Sequence, residues 1–132
     1  MGVASDPKLG KILVDANGRT LYLFEKDTGD KSSCSGWCAS VWPPLTASGK
    51  PAPGGGVSAS ALGITSNGGT TQVTYDGHPL YYYLSDSNPG QTSGQGLNQF
   101  GAFWYVLSPQ GQAIKSGGDG SGGGSSSGGS GY

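Results

Sequence analysis

Charge is scarce in this sequence. Seven Lys and Arg stand against eight Asp and Glu in 132 residues, for a net charge of −1. A protein that neutralises a phosphate backbone needs a basic face, and none can be assembled here, so no nucleic-acid partner is expected. Long apolar runs are missing too. None approaches the roughly 20 residues that span a bilayer as a helix. There is one His, so a Ser-His-Asp triad has no sequence support. Two Cys and one His are few for a structural zinc site. No G-x-x-x-x-G-K phosphate loop occurs. With no catalytic set in view, the sequence predicts a non-enzymatic protein without a resident cofactor.

What the chain has in quantity is Gly (27 residues) and aromatic side chains (three Trp, three Phe and seven Tyr). With abundant Thr and Pro, these favour strands and turns over helices. The residues divide unevenly along the chain. Residues 117–132 are almost entirely Gly and Ser. Such a segment has no apolar side chains to offset the entropy of ordering it, and it reads as a flexible linker or tag. Residues 1–7 read as a disordered lead-in. The folding unit is then a single β domain over residues 8–116, large enough for one modest core.

Strand candidates are short and separated by turn residues. Lys11-Ile12-Leu13-Val14-Asp15 precedes Asn17-Gly18, which predicts a type I′ hairpin, since both central residues there need positive φ. The returning strand is Thr20-Leu21-Tyr22-Leu23-Phe24. Its alternation places Leu21 and Leu23 on one face, and Tyr22 and Phe24 on the other. Both faces are apolar, so the strand should be covered on both sides. Residues 34–41, from Cys34 to Val41, suit one short helix that Pro43 and Pro44 must stop. Residues 62–65 are a weak strand, and Thr71-Gln72-Val73-Thr74-Tyr75 a half-buried one. Asp76-Gly77 is a second two-residue hairpin signal, returning through residues 78–84. Phe103-Trp104-Tyr105-Val106-Leu107 is strongly apolar, and Ser108-Pro109-Gln110-Gly111 reads as a type I turn before a last short strand.

Two of these segments match each other. Residues 17–27 align with residues 76–86 without a gap, each giving a hairpin turn, Leu-Tyr, an aromatic residue and then Asp. Trp42-Pro43-Pro44-Leu45 and Trp104-Tyr105-Val106-Leu107 occupy comparable places further on. The repeats run over about residues 11–45 and 71–107. They imply a small pseudo-twofold antiparallel sandwich or barrel built from two hairpin units, neither able to bury its aromatic face alone.

The repeated element is a Y-x-[FWY]-x-x-D motif. The first copy carries Tyr22, Phe24 and Asp27, and the second Tyr81, Tyr83 and Asp86. A C-x-x-x-C-x-x-x-W-P-P pattern (Cys34, Cys38, Trp42, Pro43, Pro44) and a D-G-x-P-L-Y pattern (Asp76, Gly77, Pro79, Leu80, Tyr81) accompany it. In these motifs the chain resembles the bacterial secreted-repeat lipoproteins, from about Lys8 to Ile114. The resemblance implies a secreted or cell-envelope location. It implies no substrate, since the family is a domain of unknown function.

Candidate sites follow from that compartment. Cys34 and Cys38 at i, i+4 on a helix put their Cα atoms about 6 Å apart, within disulfide reach, and an oxidising compartment favours the bond. The alternative is a pair of thiolates holding a soft ion such as Cu(I), with His78 as third ligand. His78 otherwise reads as an exposed turn residue. Asp27 and Asp86 are expected to organise the loops after their strands by accepting backbone amides, in preference to a Ca²⁺ site with Asp30 or an acid/base pair. Tyr22, Tyr81, Tyr83 and Trp104 are expected to pack as core, the alternative being an aromatic binding groove. The functional expectation is a monomeric, extracytoplasmic structural or binding domain of unknown partner. The alternatives are a copper-binding envelope protein and an engineered display scaffold carrying the Gly/Ser tail.

Overall fold

The computed structural model describes residues 1–47, 51–67 and 69–115; the predicted linker over residues 117–132 lies outside them. Each half of the chain opens with a hairpin. β1 (Gly2–Asp6) pairs antiparallel with β2 (Gly10–Val14), from Gly2 opposite Val14 to Asp6 opposite Gly10. In the second half β4 (Leu62–Asn67) pairs with β5 (Thr70–Tyr75), from Leu62 opposite Tyr75 to Asn67 opposite Thr70. The expected disordered segment over residues 1–7 is therefore overturned. Gly2–Asp6 is a strand because β2 offers it a full edge, and a backbone ladder compensates for its small side chains. The turn after it is held by Asp6, whose Oδ1 accepts the amides of Lys8 and Leu9.

After its hairpin each half sends out its motif strand. The first contains β3 (Tyr22–Phe24); the second begins as β6 (His78–Pro79) and continues through Tyr81. The two turns that deliver these strands differ. Asp76 and Gly77 both take positive φ (51° and 82°), as a two-residue I′ hairpin requires. At the first turn only Gly18 does (φ 87°), so the type I′ expectation for Asn17-Gly18 is corrected. Gly18 N donates to Asp15 O, and Asp15 N donates to Arg19 O. This is a type I turn closed by a left-handed glycine, the three-residue hairpin loop. Asp15 selects it, because its Oδ1 accepts the amides of both Asn17 and Arg19. Ser108 to Gln112 repeats that design, with Gly111 N donating to Ser108 O.

The one helix among the described residues, α1 (Trp37–Val41), falls inside the predicted 34–41 segment and ends where Trp42 N donates to Cys38 O just before Pro43. A small hairpin of β7 (Asn98–Gln99) and β8 (Ala102–Val106) closes the second half. The named strands form three small antiparallel sheets, so the fold is all-β, with one short helix among the described residues.

The motif strand divides the interior into two cores. Tyr22 and Phe24 pack into one, with Cys34, Cys38, Trp42, Tyr81 and Trp104. Leu21 and Leu23 pack into the other, with Leu13, Val73, Leu80 and Leu107. All four of those β3-region side chains are buried, as the alternation predicted.

Strand pairing then crosses between the halves. Residues 41–47, at the end of the first half, pair with two segments of the second. Leu45 N donates to Leu80 O, Tyr82 N to Pro43 O and Leu84 N to Val41 O; further along, Val73 N donates to Leu45 O and Ala47 N to Thr71 O. The end of the second half does the reverse. β8 pairs with β3, Tyr22 opposite Val106 and Phe24 opposite Trp104, while Leu13 N donates to Leu107 O. Each half thus donates its terminal arm to the other. Between them the motif strands meet at one reciprocal pair, Tyr22 N to Tyr81 O (2.8 Å) and Tyr81 N to Tyr22 O (3.0 Å).

Candidate functional site

The reciprocal backbone pair fixes where the two motif tyrosines point. The Tyr22 hydroxyl donates to Asp86 Oδ2 at 2.5 Å, and the Tyr81 hydroxyl donates to Asp27 Oδ2 at 2.7 Å. Each phenol therefore reaches the carboxylate of the other motif copy. The second oxygen of each carboxylate faces its own loop: Asp27 Oδ1 accepts the Ser33 amide (2.6 Å) and Asp86 Oδ1 accepts the Ser93 amide (2.8 Å). Gly94 N adds a bond to the Tyr22 oxygen, and the Ser32 hydroxyl lies 2.6 Å from that of Tyr81. Charge-assisted bonds of this kind are the stronger class, and burial keeps water from competing.

Burial sets the protonation states. It is the main cause that raises the phenols of Tyr22 and Tyr81 well above the usual tyrosine range, and the facing carboxylates add to it. Burial also raises the Asp27 carboxyl, against the lowering effect of its bonds from Ser33 and Tyr81 and of nearby His78. Tyr82, bonded through its hydroxyl to Asp15 and overlain by the Arg19 guanidinium, is raised by the same burial. These phenols are held neutral, as donors.

Between the two latches runs a stack of four rings. Phe24 lies on Trp104 (centroids 3.9 Å apart, planes 7° apart), Trp104 on Trp42 (3.9 Å, 6°) and Trp42 on Tyr83 (4.3 Å, 27°). The order is symmetric: the third motif residue of each copy caps the Trp of the other half, and the indoles meet in the middle. Tyr22 and Tyr81 pack edge-on against Trp42 and Trp104. Both indole amines end on Gln99, Trp42 Nε1 on its Oε1 and Trp104 Nε1 on its backbone oxygen, each at 3.0 Å. Each such ring pair is worth about 0.5–1.5 kcal/mol beyond its buried area. Trp42, Trp104, Tyr22, Tyr81 and Phe24 are buried and Tyr83 is half-buried. Their faces are turned to one another, so they form an interior and not an open groove.

Cys34 and Cys38 are joined in a disulfide with Cα atoms 5.2 Å apart, and both pack against this ring cluster. In this oxidised state they present no thiolate pair. His78 sits elsewhere, half-buried beside Asp27, Glu25, Asp76 and Lys115 on an open cleft of about 510 Å³. Among the described residues no three His, Cys, Asp or Glu side chains are placed to hold a metal ion. The three ligands proposed for Cu(I), Cys34, Cys38 and His78, are thus not brought together. Asp27 and Asp30 belong to no such group either, so the alternative Ca²⁺ site is not assembled among the described residues.

Sequence reasoning missed Gln99, Gly94 and the hairpin partner β1. Gly94 had no signal, because its role is room: a Cβ there would lie 2.6 Å from Trp42 Cη2. β1 had one, since Gly2-Val3-Ala4-Ser5 stands where Gly63-Ile64-Thr65-Ser66 stands in the second copy, Val3 opposite Leu13 as Ile64 is opposite Val73.

The comparisons with known proteins agree with this division. The profile of a family described as a secreted repeat of unknown function matches residues 3–46 and again residues 63–108, so the repeats begin with β1 and β4, earlier than residues 11 and 71. No curated protein and no solved structure matches the chain. No helix among the described residues is long and apolar enough to cross a membrane. With two matches that together cover more than half of its length, each ending at a donated arm, the chain belongs to the family of secreted repeats of unknown function.

Proposed function

We propose that the chain is a non-catalytic extracytoplasmic module that serves as a rigid structural or binding domain. One observation carries this reading. The groups with the chemistry for catalysis are bonded to one another: half-buried Asp27 with Tyr81, buried Asp86 with Tyr22, and Cys34 with Cys38. A general base must lie within hydrogen-bond reach of a substrate proton. Here each motif carboxylate is turned onto a loop amide and a phenol of the other copy. The side chains left to meet a partner are those of the surface, where Trp37 (82% exposed) and Leu84 (63%) stand out on and beside the disulfide-linked helix. A screen of ester, peptide, glycoside and phosphoester substrates tests the reading. The expected result is no turnover that depends on Asp27 or Asp86. Turnover abolished by Asp27→Asn or Asp86→Asn in a protein that still folds would overturn it.

A further inference from the structure

The internal exchange of arms has a consequence for how the chain meets its own copies. Neither half is complete alone. The first half, without residues 102–107, loses the neighbour of β3 and the partner of Leu13 N. It also leaves the Tyr22 hydroxyl without Asp86 and Phe24 without Trp104. The second half, without residues 42–47, loses the neighbours of Leu80, Tyr82 and Val73 and the ring that covers Tyr83, and without the rest of the first half its Tyr81 hydroxyl loses Asp27. What each half presents is therefore an unpaired strand edge, a buried polar donor and an open ring face. Such a surface fits one kind of partner, the other half of a repeat pair.

Nothing in that surface distinguishes a partner in the same chain from one in a second chain. The choice is made by the connection between the halves. Ala47 lies beside Thr71 and Leu62 lies opposite Tyr75, so the connection must run the length of β5. That is about 14 Å at the rise of an antiparallel strand. Residues 48–61 cover it easily, and closure within one chain is then favoured by high effective concentration.

We propose that two copies of this chain bind each other by exchanging halves, the first repeat of each closing on the second repeat of the other. The resulting dimer is isologous and contains two complete ring stacks and four Tyr-to-Asp latches, with no contact that the single chain lacks. Monomer and dimer differ in the path of the connection and in the bonds it makes to each half, such as Gly54 N to Met1 O and Ser58 N to Tyr75 Oη, so its length sets the balance between them.

Deleting residues 48–60 tests this. Ala61 alone then joins Ala47 to Leu62, a reach of about 7 Å, half of what closure requires. The expected product has twice the chain's mass by light scattering and keeps the near-ultraviolet circular dichroism of coupled, stacked indoles. A monomer with that same spectrum would overturn the proposal. A second measurement uses the full chain and stands even if the deletion variant does not fold. Protein unfolded in guanidinium and refolded at rising concentration should give a growing fraction of dimer with the native spectrum. Monomer alone at every concentration would overturn the proposal.

Discussion

The hydroxyl of Tyr22 is bonded to Asp86, the carboxylate of the other motif copy, and not to Asp27, which closes its own motif. The motif therefore records two halves of two different bonds. Its Tyr and its Asp stand five positions apart in sequence, yet each serves an opposite end of the pseudo-twofold. This arrangement makes a quantitative claim. In double-mutant cycles, Tyr22→Phe should couple to Asp86→Asn and be additive with Asp27→Asn; Tyr81→Phe should show the reverse pattern. The coupled pairs should show interaction energies of about 0.5–3 kcal/mol, and the uncoupled pairs within about 0.5 kcal/mol of zero. Urea unfolding of the parent, the four single variants and the four double variants measures it. Coupling between Tyr22 and Asp27 would place the bond within one copy.

The same latch predicts unequal costs for the two carboxylates. Asp86 is 4% exposed and Asp27 is only partly buried. Asp86→Ala leaves a buried phenol and the Ser93 amide without their acceptor, and should cost about 2–3 kcal/mol. Asp27→Ala should cost less, because water can reach Ser33 and the Tyr81 hydroxyl keeps Ser32 beside it. Thermal melts of both variants, compared with the parent chain, rank them.

How much of this was legible beforehand depends on the kind of signal. The two-sided burial of Leu21, Tyr22, Leu23 and Phe24 was readable, because a strand with apolar residues in both phases has nowhere exposed to put either set. The I′ turn at Asp76-Gly77 and the bond between Cys34 and Cys38 were readable from short-range rules. The first turn was misread at Asn17 because the Asn-Gly pair carries the I′ signal, while Asp15, two residues earlier, commands the amides that decide the type. The crossing of the arms was not legible at all. A repeat shows that Trp42 and Trp104 have like surroundings, but not whose ring covers which, since both pairings leave the same pattern in the sequence. Gln99 is hidden for a related reason: one residue serves both indoles, Trp42 through its side chain and Trp104 through its backbone oxygen, so it has no counterpart in the first repeat.

Gly94 gives a sharp test of the packing around the stack. A methyl group there would meet Trp42 Cη2 at 2.6 Å and Tyr83 Cδ2 at 3.0 Å. The backbone cannot retreat freely, because Gly94 N donates to the Tyr22 oxygen. Gly94→Ala should therefore destabilise by about 1–3 kcal/mol, the usual cost of overpacking, and change the near-ultraviolet spectrum by tilting Trp42. Gly55, whose added Cβ would meet nothing within 4 Å, supplies the control: Gly55→Ala should leave both observables unchanged.

The disulfide closes a very small loop, so its entropic effect on the unfolded chain is limited. For a loop of this size the chain-entropy model gives about 2 kcal/mol. Replacing both Cys34 and Cys38 by Ser should cost no more than that, apart from the loss of their packing against the rings. Removing the indole between them should cost almost nothing, since Trp37 is exposed, and Trp37→Ala should stay within about 0.5 kcal/mol of the parent. For copper, the geometry predicts that the oxidised chain binds no Cu(I), and that any uptake after reduction is unchanged by His78→Ala. Titration against a Cu(I) chelator before and after reduction reads both outcomes.

The raised phenols fix how stability depends on pH at the alkaline end. In the unfolded chain the tyrosines ionise near the ordinary value of about 10. In the fold Tyr22, Tyr81 and Tyr82 stay protonated well above it, chiefly through burial. The folded state then binds more protons than the unfolded one, and stability must fall as pH rises beyond that value. Their contribution is fully present below pH ~10 and is lost progressively above it. Asp27, also raised by burial, acts with the same sign at lower pH: its contribution is complete below the ordinary carboxylate value and declines as pH rises through the elevated one. Urea midpoints measured from neutral to strongly alkaline pH should stay level and then drop. Tyr22→Phe should flatten the drop, because it removes one of the protons that the folded state retains. A drop of unchanged slope in Tyr22→Phe would mean that the phenol bonded to Asp86 ionises as readily in the fold as outside it.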